Sequence, residues 1–140
     1  MNDRRWFNSR LPQTLVIAQF LLYFNAFWLA LAALGSLRGL GSGGILALLY
    51  RVLLFASLAA NVYGAYGIAN EQKRGYQVAV VAAFLPIAVP AVILLLNGNL
   101  FGNLGAVLLP GGIINALFVY ALIALLLHTQ SREHQKVWFT

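Results

Sequence analysis

Five aromatic side chains near the start of the chain share one helical spacing. They recur at positions i, i+3, i+4, i+7 and i+8, and they are Phe20, Tyr23, Phe24, Phe27 and Trp28. This spacing places all five on one face of a helix. Such a face could stack a quinone, a carotenoid or another flat apolar molecule, so these five are the candidates for cofactor binding. Ordinary packing, or an aromatic face turned to lipid, is the interpretation that we favour.

A few amide and hydroxyl side chains interrupt otherwise apolar stretches. They are Gln19, Asn25, Asn61, Asn115 and Tyr120. A polar group inside a membrane must find a hydrogen-bond partner within the protein. If each stretch crosses the membrane, Asn25 and Asn115 fall in the outer half together with Arg51, and the others fall in the inner half. We therefore expect two polar layers between the helices.

Arg51 is the one charged residue that lies inside an apolar stretch. If its helix begins at Ile45, Arg51 lies about 9 Å below the membrane surface at about 1.5 Å per residue. A long side chain reaches the surface easily from this depth. We favour this outward reach over the functional alternative, which is contact with an anion or a lipid headgroup.

The residues of common catalytic mechanisms are not placed together. Asp3, Glu71 and Glu133 all lie in terminal or loop segments, whereas ion-coupled transporters usually keep an ionisable group at membrane depth. His128 and His134 lie about 120° apart on a helix, which is poor geometry for joint ligation of a metal or haem. No nucleophile–base pair or phosphate-binding motif occurs. The sequence favours a non-enzymatic protein with no metal or cofactor.

Composition identifies the elements that must position these groups. Of 140 residues, 61% are hydrophobic, 9% are charged and none is cysteine, whereas soluble domains are about 45–50% apolar and about 25% charged. These values exclude disorder, a disulfide-stapled domain and a thiolate metal site. A membrane-crossing helix needs about 20 mostly apolar residues. The spans that we predict are 11–34, 45–69, 77–96 and 108–128.

Four spans joined by short loops predict an all-α integral membrane protein. We expect an antiparallel up-down bundle that forms one domain over residues 1–140, with no soluble domain. All Lys and Arg residues except Arg38 and Arg51 lie in the N-terminal segment, between spans 2 and 3, or in the C-terminal tail. Because cytoplasmic segments are enriched in these residues, both termini should be cytoplasmic. The inner membrane of a prokaryote is the default location, and the scattered basic residues predict no nucleic-acid binding.

Small residues in the second span predict close helix packing. Ala56, Ala60, Gly64 and Gly67 form a stripe at spacings of four and three, which lets another backbone approach. The sequence leaves open whether that backbone belongs to this chain or to another subunit.

Prolines and glycines predict bends in the last two spans. Pro86 and Pro90 should kink span 3, because each removes an amide donor from the helix. Pro86 leaves the Ala82 carbonyl without its usual backbone donor. We expect the side-chain amide of Asn61 to donate a hydrogen bond to this carbonyl. In span 4, the regular helix could begin at Pro110, which would make residues 104–109 a re-entrant or interfacial segment.

Three functions fit these features. The first is a non-enzymatic accessory subunit, or an assembly or stabilising factor, of a larger membrane complex. The alternative is an oligomeric transporter, channel or lipid-binding module with Asn25, Arg51 and Asn115 along its path. The third is a quinone- or pigment-linked redox protein that uses the aromatic face. Bound lipid is expected in each case, and the expected protein partners are other membrane subunits or further copies of the chain.

Overall fold

A computed structural model describes residues 4–39, 41 and 43–140, and within these ranges the chain contains helices and no strand. The long helices are α1 (Gln13–Leu37), α2 (Ile45–Ala69) and α3 (Lys73–Leu96). A short 3₁₀ turn at Phe101–Asn103 leads into α4 (Leu104–Leu108), which is followed by α5 (Ile113–Leu127) and α6 (Thr129–Trp138). The predicted all-α class is confirmed.

Helix length and composition support several membrane crossings. Helices α1, α2 and α3 are each long and apolar enough to span a bilayer. The segments Phe101–Leu108 and Ile113–Leu127 pass the same test only as a pair, and they are bent by 69°. The chain therefore has three or four candidate spans, as a multi-pass membrane protein would.

The predicted fourth span, 108–128, is not one continuous helix. Gly111 and Gly112 have φ values of 70° and 92°, a backbone region that favours glycine, and α5 therefore begins only at Ile113. Its 15 residues measure about 22 Å at about 1.5 Å per residue, less than the hydrocarbon thickness of about 30 Å. The Tyr120 hydroxyl donates to the Leu108 carbonyl at 2.6 Å and joins α5 to α4 across the bend.

Helices α2 and α3 bring their backbones into close contact. A Cβ added at Gly67 would lie 2.3 Å from Gly75 Cα, and one at Gly64 would lie 2.7 Å from Ala79 Cα. The small-residue stripe therefore has its partner inside this chain. Ala56, the member of the stripe farthest from the turn into α3, is exposed. The close contact is therefore limited to the end of α2 that precedes this turn.

The N-terminal segment packs on the same end of α2. The Asn8 side chain donates to the Ala69 carbonyl at 3.2 Å, and the backbone of Asn8 exchanges two hydrogen bonds with the Gln19 side chain. Arg5 and the Asn70 side chain make a second two-bond pair. Gln19 is fully buried, and its amide fixes the entry into α1.

The C-terminus closes on the turn between α2 and α3. The Thr140 amide donates to the Glu71 carbonyl and the Lys73 amide donates to the Thr140 carbonyl, each at 2.9 Å. Phe139 is 3% exposed and packs edge-on against the ring of Tyr76. Both terminal segments and this turn thus meet at one end of the helices, which we call the terminal end.

The best-packed part of the interior lies near the terminal end. Its fully buried members come from the start of α1 and the ends of α2 and α5, and they include Leu15, Leu22, Ile68, Leu122 and Leu126. Helix α3 continues from Lys73 through Pro86 and Pro90 to Leu96. The half of the bundle around these prolines is less closely packed, and it contains the cavity described next.

Candidate functional site

A cavity of about 410 Å³ lies between α1, α2, α3 and α5, away from the terminal end. Pockets that hold small molecules are commonly about 300–1,000 Å³. Three asparagines from three different helices line it, namely Asn25, Asn61 and Asn115. We call this space the amide cavity.

The amide cavity extends from the protein surface into the interior. Its exposed lining residues include Trp28 and Tyr50, whereas Ser57, Asn61 and Val119 are buried. Most of the remaining wall is aliphatic, from residues such as Leu54. The cavity therefore combines a largely apolar wall with a small polar region at its buried floor.

The floor contains a polar atom without a partner. Asn61 is 1% exposed, and its Nδ2 donates to the Ser57 carbonyl at 2.8 Å. Its Oδ1 is buried with no hydrogen-bond partner among the described residues. A buried unsatisfied polar group costs about 1–3 kcal/mol. Oδ1 itself has almost no accessible surface, so this unpaired acceptor lies behind the cavity wall.

The expected bond from Asn61 to the proline-broken turn is not made. Its amide nitrogen donates within α2, to Ser57. Ala82 is fully buried and does not line the cavity, whereas Pro86 and Pro90 both do. In an α-helix the carbonyl of Pro86 would accept from the amide of residue 90, and proline has no amide to donate. The Pro86 carbonyl therefore lacks its usual donor.

The amides also group differently from the two predicted layers. Asn25 and Asn61, expected in opposite halves of the membrane, line the same cavity. The Asn115 Nδ2 donates to the Pro110 carbonyl at 2.8 Å, so it also holds the start of α5. Tyr120 lies outside the cavity lining and bonds to Leu108. The grouping of the three asparagines in one cavity depends on which way each side chain faces as well as on its depth along the helix.

Arg51 anchors the chain that leaves α1. Its guanidinium donates to the Gly39 carbonyl, and its side chain is half-buried. Arg51 is not among the residues that line the amide cavity. Reach toward the chain that leaves α1 is therefore the interpretation of Arg51 that the geometry supports.

The aromatic face of α1 lies mainly on the outside of the bundle. Phe20, Phe27 and Trp28 are 61%, 58% and 55% exposed. Phe24 packs against Phe118 of α5 with ring centroids 5.8 Å apart. Trp28 alone of the five lines the amide cavity. An exposed face gives a flat cofactor no enclosure, so this surface is suited to contact with lipid.

Both histidines make their contacts within α6 and the residues next to it. His128 Nδ1 accepts from the Gln130 amide at 3.3 Å and caps the start of α6. The His134 ring packs against Trp138 and Phe139. Across residues 4–39, 41 and 43–140, no group of three or more His, Cys, Asp or Glu side chains could hold a metal ion.

Two parts of this arrangement are missing from the sequence interpretation. Ser57 lies one turn before Asn61 on the same face of α2, and that spacing could have identified it as a cavity residue. The clamp between Asn8 and Gln19 has no comparable signal, because it depends on how the N-terminal segment folds back.

No family model, no curated protein and no solved structure matches the chain. The function is therefore inferred from the geometry of the amide cavity.

Proposed function

We propose that this chain is a non-enzymatic, membrane-embedded binding protein whose amide cavity holds a small amphipathic molecule. The observation that carries the proposal is a cavity with a mostly apolar wall that also includes asparagine side chains from three helices. This develops the lipid-binding alternative from the sequence. A pocket with an apolar wall and a few convergent polar groups is the usual form of a small-molecule site.

The chemistry of the lining supports binding rather than catalysis. The polar side chains that line the cavity are amides, the Ser57 hydroxyl and Tyr50. The Ser57 hydroxyl donates to the Leu53 carbonyl at 2.7 Å, and among the described residues no histidine, lysine or carboxylate lines the cavity to act as its base. General acid–base or nucleophilic chemistry needs such a partner.

We further propose that the helices form an antiparallel bundle in a prokaryotic inner membrane with the terminal end in the cytoplasm. The grouping of both terminal segments with the α2–α3 turn supports this orientation, because these segments contain all basic residues except Arg38 and Arg51. The amide cavity would then extend from the middle of the membrane toward its outer surface.

A role as an accessory subunit of a larger complex stays a prediction from the sequence. It is compatible with the binding function, since a small subunit can deliver or retain a lipid for its partner. Native gels of gently solubilised membranes test it, and migration only at the mass of the chain itself would count against it.

The binding function is tested by blocking the cavity. We would purify the protein from lipid nanodiscs and measure retained small molecules by native mass spectrometry. Ala32→Phe places a large ring at an exposed alanine that lines the cavity, and Ala56→Phe places the same ring at an exposed alanine that does not. The proposal expects a bound species in the parent protein and in Ala56→Phe, but not in Ala32→Phe. Equal retention by all three proteins, or by none, would contradict it.

A further inference from the structure

We propose that a second groove, at the terminal end, binds one anionic glycerophospholipid, with the headgroup phosphate at Arg132 and Lys136 and an acyl chain along the helices. The groove measures about 550 Å³ and lies between the start of α3, the end of α5 and one side of α6. We call it the basic groove. It shares no lining residue with the amide cavity, so this inference is independent of the proposed binding function.

Two cations one turn apart on α6 line the basic groove. Arg132 and Lys136 are exposed, and their spacing of four residues places them on one helix face together with Gln135. From α3, Gln77 adds a second side-chain amide. The Tyr76 hydroxyl, also in the lining, is already engaged because it donates to a backbone carbonyl of α5. The groove therefore offers two positive charges and two amides to an anion.

No carboxylate of the described chain neutralises these cations. Glu71 and Glu133 lie outside the lining of the basic groove, and so does Thr140 at the end of the chain. Glu133 lines a different groove, on the side of α6 that faces Pro12. Neither glutamate forms a salt bridge with the two cations among the described residues. Both cations are therefore open to an anion that comes from outside the chain.

An apolar strip leads from the basic groove along α3 and α5. Val80 and Leu127 line the groove itself, and Leu127 is 44% exposed. One turn further from the terminal end, Phe84 of α3 is exposed and Ile123 of α5 is half-buried, so the two helix faces continue the apolar surface. A phosphate ion alone would leave this strip uncovered. A phospholipid would cover it with an acyl chain while its phosphate meets the cations.

The charge of the basic groove favours a headgroup without a cation of its own. In phosphatidylcholine the quaternary ammonium offsets the phosphate charge, whereas the phosphate of phosphatidylglycerol keeps its full negative charge. Guanidinium and ammonium groups both donate strong hydrogen bonds to phosphate oxygens, and basic residues near a membrane surface attract anionic lipid. We expect phosphatidylglycerol to bind about 10- to 30-fold more tightly than phosphatidylcholine, which corresponds to about 1.4–2 kcal/mol.

Titration of the lipid-depleted protein in detergent, followed by native mass spectrometry, measures this preference. The probes are dioleoylphosphatidylglycerol, dioleoylphosphatidylcholine and inorganic phosphate. Arg132→Gln combined with Lys136→Gln should remove the preference for phosphatidylglycerol. Arg5→Gln combined with Arg10→Gln is the matched control, because it removes the same charge from exposed residues of the N-terminal segment that do not line the groove. This control should keep the preference.

A second pair of variants decides the question if circular dichroism shows that the double substitution in α6 impairs folding. Gln77→Glu places a carboxylate in the basic groove from α3, at an exposed position. Gln130→Glu places the same charge on α6 at an exposed glutamine outside the groove. Gln77→Glu should weaken phosphatidylglycerol binding, whereas Gln130→Glu should leave it close to that of the parent protein.

Three results would overturn the proposal. Equal affinity of the parent protein for the two lipids would remove the charge preference itself. Equal loss of preference in the two double variants would assign the effect to net charge and not to this groove. Displacement of phosphatidylglycerol by millimolar inorganic phosphate would mean that the groove recognises a phosphate ion and not a lipid. Ala32→Phe blocks the amide cavity and should leave phosphatidylglycerol binding unchanged, so failure of the proposed function is observed separately.

Discussion

Replacement of Gly67 by alanine should separate α2 from α3 and destabilise the fold. The added Cβ would lie 2.3 Å from Gly75 Cα and 3.2 Å from Gly75 N. Ordinary contacts of a Cβ lie at 3.4–4 Å. Because the obstructing atoms belong to the backbone, a rotamer change cannot relieve the clash, and the two helices must move apart by about 1 Å or more.

The size of the effect follows from two opposing contributions. Overpacking of a close interface costs about 1–3 kcal/mol, whereas alanine stabilises a helix relative to glycine by about 0.5–1 kcal/mol. We expect a net loss of about 1–2 kcal/mol in the free energy of unfolding. The Gln72 amide also donates to the Gly67 carbonyl at 2.9 Å, so the turn should loosen together with the helix contact.

Gly35→Ala is the matched control for this substitution. Gly35 lies in the last turns of α1, and a Cβ added there has no neighbour within 4 Å among the described residues. This variant should be as stable as the parent protein, or more stable by up to about 1 kcal/mol. Unfolding would be followed by circular dichroism during titration of dodecylmaltoside micelles with SDS.

The reasoning would be refuted if Gly67→Ala and Gly35→Ala changed the stability equally. That result would mean that the helices adapt freely at Gly75 or that the contact does not exist in the membrane. Destabilisation of Gly67→Ala alone would support the packing of α2 against α3 described above.

Three further substitutions test contacts that hold the chain ends and the bend before α5. Asn8→Ala removes the donor to the Ala69 carbonyl and should cost about 1 kcal/mol, with faster amide hydrogen exchange in the N-terminal segment and no such change in Ser9→Ala. Tyr120→Phe removes the bond to Leu108 and should increase the mobility of spin labels in α4, while the exchange rates of α2 stay constant. Phe139→Ala empties a buried site at the terminal end and should lower the free energy of unfolding by about 3 kcal/mol. SDS titration would measure this change. A loss below about 0.5 kcal/mol would contradict the described docking of the C-terminus.

Hydrophobic pattern and charge placement account for most of the fold that could be predicted. The first three spans were located because each is a long apolar stretch bounded by charges, and α2 begins and ends at the predicted residues 45 and 69. The Gly64 and Gly67 stripe likewise predicted close packing, since small residues allow it wherever a partner is available. The predicted fourth span contains α5 (Ile113–Leu127), and the Pro-Gly-Gly sequence that indicated a later helix start does interrupt the helix before it.

The cavity could be predicted only in part. Polar residues in an apolar chain identified Asn25, Asn61 and Asn115 as unusual, but a one-dimensional depth argument assigned them to two layers. Their meeting in one space depends on the rotation of α1, α2 and α5 about their own axes, which packing determines. The role of Gln19 depends on a segment that folds back over α1, and local periodicity contains no information about such a contact.

The most direct test of the binding function is an experimental density map of the protein crystallised from a lipidic mesophase without added ligand. We expect elongated density in the amide cavity, with one end within hydrogen-bond distance, about 2.7–3.2 Å, of a lining asparagine side chain and the remainder against the aliphatic wall. Isolated water peaks at Asn61, or a cavity closed by inward movement of Trp28, would contradict the account.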